Sequence, residues 1–246
     1  RALWGALPAQ SMTKTLLTFE QVGLRLDGAW RMREMSLQVS AQGITGVMGP
    51  NGSGKSLFLR LAMGLLTPDE GGVQWNGVPA QDSRKDRGFV FQSTPLLRRS
   101  VFANVAYPLH IAGMRGSEVG DRVAHWLDKA RLSHKTKDPA ARLSGGEAQR
   151  MSIARALVRN PKVLLLDEPS ASLDPSSTSA LENLIEEVSE EGVKILMSTH
   201  DIGQAKRLSE DVVFLDLGRL AEQADAAQFF EAPSSEAAQT YLGGRL

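Results

Sequence analysis

The chain has 246 residues, of which 42% are apolar, so it can bury a large core within one domain and is expected to be a soluble globular protein. Its 28 basic and 28 acidic residues leave no net charge to attract nucleic acid or an anionic membrane, and we expect no nucleic-acid partner. The absence of cysteine excludes disulfides, a thiolate zinc site and a cysteine nucleophile.

The beginning of the chain has no basic region followed by a long apolar core, so we predict no secretory signal. Residues 1–11 precede the first methionine, Met12, and we expect them to be upstream or vector-derived sequence. Residues 35–54 carry no charge over a membrane-spanning length. Gly, Ser, Gln, Asn and Pro interrupt this stretch, however, and we predict no transmembrane helix there.

Seven short apolar or alternating segments are predicted strands: residues 16–19, 35–39, 44–48, 88–91, 163–166, 193–198 and 212–215. Several are continuous apolar runs bounded by polar residues, which is typical of a parallel sheet covered by helices on both faces. Helical patterns at 101–107 and 119–132 replace the strand pattern between residues 95 and 143. The sequence therefore predicts an α/β fold with a helical insertion.

A glycine-rich phosphate loop follows the predicted strand at 44–48, and a helical pattern follows the loop. Its glycines let backbone N–H groups turn inward around an anion, while Lys55 can reach the outer phosphates and Ser56 can offer its hydroxyl to Mg²⁺. We therefore predict that the chain binds a nucleoside triphosphate with Mg²⁺. The residues of this loop are Gly49, Pro50, Asn51, Gly52, Ser53, Gly54, Lys55 and Ser56.

Polar side chains end three of the predicted strands. Asp167 and Glu168 follow 163–166, Gln92 follows 88–91, and His200 follows 193–198. Because ligands bind at the carboxyl ends of the strands in open α/β sheets, we predict that Asp167 holds Mg²⁺ through water and that Glu168 accepts a proton from the attacking water. His200 is predicted to contact the γ-phosphate, and Gln92 the metal or the water. Solvated strand ends are the alternative.

Leu143, Ser144, Gly145, Gly146 and Glu147 begin a helical pattern. Ser144 and Glu147 fit a capping box, which would be structurally sufficient by itself. Two glycines in a first helical turn cost about 1 kcal/mol each relative to alanine, and a cap alone gains nothing from them. We therefore interpret the glycines as allowing close approach to an anion at the helix N-terminus.

Together these motifs resemble the ATP-binding cassette (ABC) family, the ATPase subunits of ABC transporters, from about residue 16 to 242. They correspond in order to the Walker A motif, the Q-loop glutamine, the LSGG signature at 143–147, the Walker B motif with its glutamate, and the switch histidine. Residues 172–174 match the D-loop. The resemblance thus implies four catalytic residues: Glu168, His200, Gln92 and Asp174. Three residues are implied to hold the metal: Ser56, Gln92 and Asp167.

The resemblance also implies a P-loop NTPase core with a mainly parallel sheet, an antiparallel β subdomain and an inserted α-helical subdomain. We expect one ABC ATPase domain at 12–246, with the helical subdomain at 95–144 and the RecA-like core with the β subdomain at 12–94 and 145–246. In the family, two cassettes close over two ATP molecules, each held between one subunit's Walker A motif and the other's signature. This implies an ATP-dependent homodimer in which Ser144, Gly145 and Gly146 act in trans.

As in family members, the chain is expected on the cytoplasmic, inner face of the membrane, with an integral membrane permease and an extracytoplasmic substrate-binding protein as partners. Residues 94–109 would receive the permease, unless their apolar side chains belong to the core. The candidate side chains are Leu96, Leu97, Val101, Phe102 and Tyr107. Two departures from the family concern the nucleotide. Leu26 replaces the usual aromatic residue that stacks on adenine, leaving Trp30 as a substitute, and Glu147 replaces the commoner glutamine.

The overall similarity favours import of a small oxyanion such as tungstate, or of amino acids, and leaves export open. An alternative is a soluble ABC ATPase that acts on ribosomes, DNA or protein assemblies. Such relatives usually carry two cassettes, coiled-coil arms or cysteine-rich modules, which this sequence lacks. A nucleotide-responsive assembly protein without turnover is disfavoured because Glu168 and His200 are both present.

Overall fold

The computed structural model describes residues 15–93 and 95–244. The predicted upstream segment 1–11 and Thr94 of the predicted dock lie outside this part. The described strands are β1 Thr15–Leu26, β2 Ala29–Ser40, β3 Ile44–Met48, β4 Glu70–Trp75, β5 Val78–Pro79, β6 Arg87–Val90, β7 Val163–Asp167, β8 Lys194–Ser198, β9 Asp211–Asp216 and β10 Arg219–Asp225. The described α-helices are α1 Lys55–Met63, α2 Val101–Ile111, α3 Ser117–Lys129, α4 Gly145–Leu157, α5 Pro175–Glu190, α6 Ile202–Leu208, α7 Ala226–Glu231 and α8 Glu236–Leu242.

The larger sheet has the strand order β10-β9-β3-β8-β7-β6. Its central strand β3 runs parallel to β8 and β9, and β7 runs parallel to β8 and β6. Only the edge strand β10 is antiparallel. Every residue of β3, β7 and β8 is buried, as continuous apolar runs require in a sheet covered on both faces. The prediction of a mainly parallel α/β sheet is confirmed.

A second, antiparallel sheet has the order β2-β1-β4-β5. Strands β1 and β2 are both longer than the predicted segments at 16–19 and 35–39, because they continue into a hairpin through Asp27 and Gly28. Strands β4, β5 and β10 were not predicted. The two glycines of β4 and the polar side chains of β10 give no apolar run, so these strands depend on their partners rather than on local pattern.

The region between residues 95 and 143 forms α2 and α3. Helix α2 continues past the predicted end at 107 and contains Pro108, whereas α3 ends at Lys129, before Arg131 adopts a left-handed φ of 56°. Helix α4 packs against both. The predicted subdomain boundary between residues 144 and 145 therefore separates helices that contact each other, and the division into subdomains stays a prediction.

Strand β7 divides the interior into two apolar clusters. Val163 and Leu165 join α1 and the antiparallel sheet, whereas Leu164 and Leu166 join α2, α4 and α5. A smaller third cluster connects β9 with α7 and α8. Across residues 15–93 and 95–244, the helices are all too short or too polar to cross a bilayer.

Candidate active site

The phosphate loop lies between β3 and α1 in a backbone shape that needs glycine. Gly49, Gly52 and Gly54 have φ angles of 144°, 82° and 105°, which side chains rarely allow. A Cβ on Gly49 would lie 2.1 Å from the carbonyl oxygen of Leu215, so this position also lacks room for a side chain. The hydroxyl of Ser53 is buried and has no hydrogen-bond partner within the described residues. A buried, unpartnered donor in this loop suits a phosphate oxygen.

Lys55, the first residue of α1, turns back over the loop. Its Nζ donates to the carbonyl oxygens of Gly49 at 2.9 Å and Pro50 at 3.2 Å, and lies 3.6 Å from Oε1 of Glu168. Burial lowers the pKa of Lys55, while the neighbouring Glu168 carboxylate opposes this shift. The loop thus carries a buried amine beside the carboxylate predicted to act as the base.

Asp167 is held by two hydroxyl groups. Ser56 Oγ and Ser198 Oγ donate to its Oδ1 at 2.9 and 2.8 Å, and Ser198 Oγ also accepts from the backbone N–H of Glu168 at 2.9 Å. Asp167 and Ser198 are register partners on β7 and β8. Sequence reasoning missed Ser198, although a polar residue ending the apolar run at 193–198 was a usable signal. The oxygens of Ser56 and Asp167 fit Mg²⁺, which prefers few protein oxygens beside water and phosphate.

Glu168 lines a polar cleft of about 380 Å³, the Glu168 cleft. Its Oε2 lies 3.2 Å from His200 Nδ1 and accepts from Gln92 Nε2 at 3.4 Å. Its backbone φ of 45° is uncommon for a residue other than glycine, and such strain clusters at functional sites. The cleft is lined by Asn51, Gln92, Glu168, Ser170, Ala171, Ser172, Thr199, His200 and Asp201.

Most of the predicted site residues therefore meet at one edge of the parallel sheet, but Asp174 is bonded to Ser177 on α5 instead. Its Oδ1 accepts from the N–H of Ser177 at 2.9 Å and its Oδ2 from Oγ of Ser177 at 2.6 Å, so it caps α5. These hydrogen bonds lower the pKa of Asp174. A catalytic role for Asp174 stays a prediction.

The signature segment begins α4 with the predicted capping box. Glu147 N–H donates to Ser144 Oγ at 3.3 Å, and Ser144 N–H donates to Glu147 Oε2 at 2.8 Å. The other oxygen of Glu147 lies 2.7 Å from Lys135 Nζ. Lys135 and, secondarily, the Ser144 hydrogen bonds hold the pKa of Glu147 below its usual value. The glutamate that replaces glutamine is thus paired with a cation of the same chain.

The two glycines of the signature differ in their surroundings. Gly145 is exposed, and a Cβ there would meet Leu173 at an ordinary 3.6 Å. Gly146 is buried, and a Cβ there would lie 2.6 Å from the side chain of Ser177 on α5. Helix packing inside the chain is therefore a second reason for glycine at 146, and the role of Gly145 and Gly146 toward an anion stays a prediction.

Trp30, the substitute for the aromatic residue that Leu26 replaces, is half-buried, as Leu26 is. Leu26 packs partly against the cluster of the antiparallel sheet. Trp30 lies beneath two guanidinium groups, with Arg25 Cζ at 4.1 Å and Arg33 Cζ at 5.1 Å from its ring centroid. Its faces already have cationic neighbours. Stacking of Trp30 on adenine stays a prediction.

A family model described as ABC transporter matches residues 32–171. The chain belongs to the ABC transporter family. A tungstate uptake system ATP-binding protein, TupC, from Peptoclostridium acidaminophilum is 39% identical over 76% of this chain and 88% of its own length. A methionine import ATP-binding protein, MetN, from Clostridium acetobutylicum is 35% identical over 90% of this chain and 72% of its own. A phosphate import ATP-binding protein, PstB, from Bacteroides thetaiotaomicron is 37% identical over 87% and 92%.

Solved cassettes have the same fold. CbiO1 of Clostridium perfringens, part of the transporter complex cbiONQ, matches with a TM-score of 0.82 and 29% identity over 89% of this chain and 91% of its own. The cassette MJ0796, solved as a dimer in a post-hydrolysis state with ADP and Pi, matches with a TM-score of 0.77 and 28% identity over 86% and 99%. The predicted family and P-loop fold are confirmed, and the chain is an ABC-type ATPase that binds ATP.

Proposed function

We propose that this ATPase drives import of a small oxyanion such as tungstate through a separate membrane-spanning subunit. The observation that carries the ATPase mechanism is the meeting of Lys55, His200 and Gln92 at the carboxylate of Glu168, beside the phosphate loop. The import function is supported by relatives whose names describe uptake or import of tungstate, methionine and phosphate.

In the proposed reaction, a water oxygen bonds to the terminal phosphorus of ATP while the bond from that phosphorus to the bridging oxygen breaks. Glu168 accepts the proton of this water. Its side chain is only 14% exposed, and its backbone is fixed through Ser198, so the base is held in one orientation. His200, whose Nδ1 lies 3.2 Å from Oε2 of Glu168, is proposed to contact the γ-phosphate.

Mg²⁺ would be held by Ser56, by Asp167 through water, and by Gln92. When bound, it neutralises part of the charge on the phosphates. The shared hydroxyl of Ser198 keeps Asp167 next to Ser56, and this arrangement supports the assignment.

The proposed working form is a homodimer in which the signature of one copy covers the nucleotide of the other. Ser144 and Gly145 are exposed at the beginning of α4, where helix N–H groups favour anions. Among the described residues, those lining the Glu168 cleft come from outside the signature. A second copy would therefore supply these donors and exclude water from the reacting phosphate.

The proposed permease surface follows the Q-loop glutamine along α2. Phe91, Tyr107 and Ile111 are 39%, 42% and 68% exposed, which is unusual for large apolar side chains and suits a partner surface. Leu96, Leu97 and Phe102 are half-buried, so only part of each side chain is available to the proposed permease surface. Val101 is fully buried, and its assignment to this surface is wrong because it belongs to the core between β7 and α4.

Affinity isolation tests the transporter function. Tagged Glu168→Gln protein, purified with Mg-ATP from detergent-solubilised membranes of the organism that encodes it, should carry an integral membrane protein in comparable amount by mass spectrometry. The same purification without nucleotide is the control. Recovery alone or with ribosomes would overturn transport while leaving the ATPase mechanism intact.

Uptake by a strain that lacks the gene tests the substrate. We expect loss of tungstate uptake, restored by the wild-type gene but not by Glu168→Gln, with methionine and phosphate uptake unchanged. Loss of methionine uptake instead would show that the substrate is an amino acid and not an oxyanion. Accumulation of a compound inside the cells would show that the transporter exports its substrate.

A further inference from the structure

The C-terminal helix α8 reaches the candidate active site through one hydroxyl. Tyr241 Oη donates to the backbone carbonyl oxygen of His200 at 3.1 Å. The Tyr241 side chain is only 7% exposed, and its ring lies 5.2 Å from that of Phe214 on β9. The contact joins two segments 41 residues apart in sequence.

The helix that carries Tyr241 is itself anchored. Ser235 caps α8 by accepting from the N–H of Ala238 at 3.1 Å. The buried carboxylate of Glu222 on β10 accepts from the N–H groups of Ser234 and Ser235, both at 2.8 Å. These bonds hold the beginning of α8 against the sheet, so the Tyr241 hydroxyl has a defined position.

His200 lies between two fixed neighbours. The N–H of Thr199 donates to the Val47 carbonyl at 3.2 Å, and Asp201 donates its N–H to Thr199 Oγ1 at 3.1 Å before it caps α6. The His200 imidazole is 56% exposed, so packing alone does not hold it. The peptide between His200 and Asp201 is held at its N–H by Thr199 and at its carbonyl by Tyr241, and it adjoins the Cα that carries the imidazole.

We propose that Tyr241 is a positioning residue for the ATPase reaction: its hydroxyl fixes the carbonyl of His200 and thereby directs the imidazole toward Oε2 of Glu168. This assignment rests on the proposed role of His200 in hydrolysis. The proposed contact couples α8 to the active site from behind. Helix α8 packs in the third apolar cluster, and the described residues that line the Glu168 cleft come from other elements.

Steady-state kinetics on Tyr241→Phe tests the proposal, because this variant keeps the ring against Phe214 and removes only the hydroxyl. We expect kcat to fall about 3- to 10-fold, the range for loss of one neutral hydrogen bond, with KM for ATP unchanged. Thr240→Val, which removes a hydroxyl from the neighbouring residue of α8, is the matched control and should leave kcat unchanged. In a His200→Ala background, Tyr241→Phe should cause no further loss. An equal loss in both backgrounds would overturn the proposal.

NMR of the histidine side chains separates this proposal from the role of His200 itself. The chain has four histidines, and we expect Tyr241→Phe to shift only the imidazole signal of His200, leaving His110, His125 and His134 in place. An unmoved His200 signal would overturn the positioning role even if kcat falls. Normal turnover by His200→Ala together with a shifted signal would overturn the hydrolytic role of His200 and leave the positioning contact standing.

Discussion

The phosphate loop and the signature segment would both face a nucleotide, yet the protein builds them differently. Gly49, Ser53 and Lys55 of the loop are buried, and hydrogen bonds join the loop to the neighbouring strands, as between Ser56 and Asp167, 111 residues apart. Ser144 and Gly145 of the signature are exposed, and its cap joins Ser144 to Glu147 only three residues away. The loop contacts its catalytic neighbours within one chain, whereas the signature is a preformed, exposed helix end that suits the proposed contact with a second copy.

This difference separates effects that belong to chemistry from those that belong to assembly or packing. Changes at the loop edge should act within the subunit that carries them, and changes at exposed signature positions should act on the partner. A signature residue that proved to act in its own subunit would remove the distinction.

Glu168→Gln should have the largest effect. Loss of the general base lowers turnover by about 10²- to 10⁴-fold, while ATP binding persists and a dimer accumulates. ATPase assays and size-exclusion chromatography with Mg-ATP check this. Glu186→Gln, the same chemical change at an exposed position of α5, is the control. Full turnover by Glu168→Gln would contradict the assignment of the base.

Ser144→Arg should also lower turnover of the homodimer, by placing a long side chain where the partner's nucleotide would lie. Lys55→Ala should lower it by removing the charge that reaches the phosphates. Mixing the two proteins restores one composite site with an intact loop and an intact signature, so about a quarter of wild-type activity should return at equal ratio if dimers form at random and sites act independently. Absence of rescue at every ratio would argue against action in trans.

Gly146→Ala and Gly145→Ala compare the buried and the exposed glycine of the signature. The new methyl group at Gly146 meets Ser177, so we expect a loss of about 1–3 kcal/mol in the free energy of unfolding, from overpacking. At Gly145 the methyl group has room, and the better helix propensity of alanine leaves stability equal or slightly higher. Thermal or urea unfolding compares the pair. Equal stability of the two variants would refute the packing role of Gly146.

Glu147→Gln should have the smallest effect, less than about 1 kcal/mol, because the pair with Lys135 is partly exposed and the amide can still accept from Ser144. The pKa of Glu147 is lower in the folded protein than its ordinary value near 4.5, so ionised Glu147 stabilises the fold at pH values above 4.5. This contribution disappears as the pH falls through the lower, folded-state pKa. Wild-type stability should therefore fall more steeply below pH 4.5 than that of the variant. Parallel unfolding profiles would contradict the ion pair.

The sequence was sufficient for features encoded by neighbouring residues. Strand β3, the phosphate loop and the capping box are local patterns, and the structure contains all three. Ser198 acquires its role only through the register that pairs it with Asp167, and Gly146 only through the arrival of Ser177. The contact of Tyr241 with His200 likewise needs the path of the whole C-terminal segment. Such pairings depend on tertiary packing, which no local pattern specifies.

Strand β7 has a mechanical consequence. Its side chains pack alternately into the two large apolar clusters, and close-packed clusters of this kind have low compressibility and transmit strain. We therefore expect the strand to be rigid, and Asp167 and Glu168 lie at its carboxyl end. Helices α2 and α3 pack in one of these two clusters, so a displacement at Asp167 or Glu168 would reach them through packed side chains as well as through the loops.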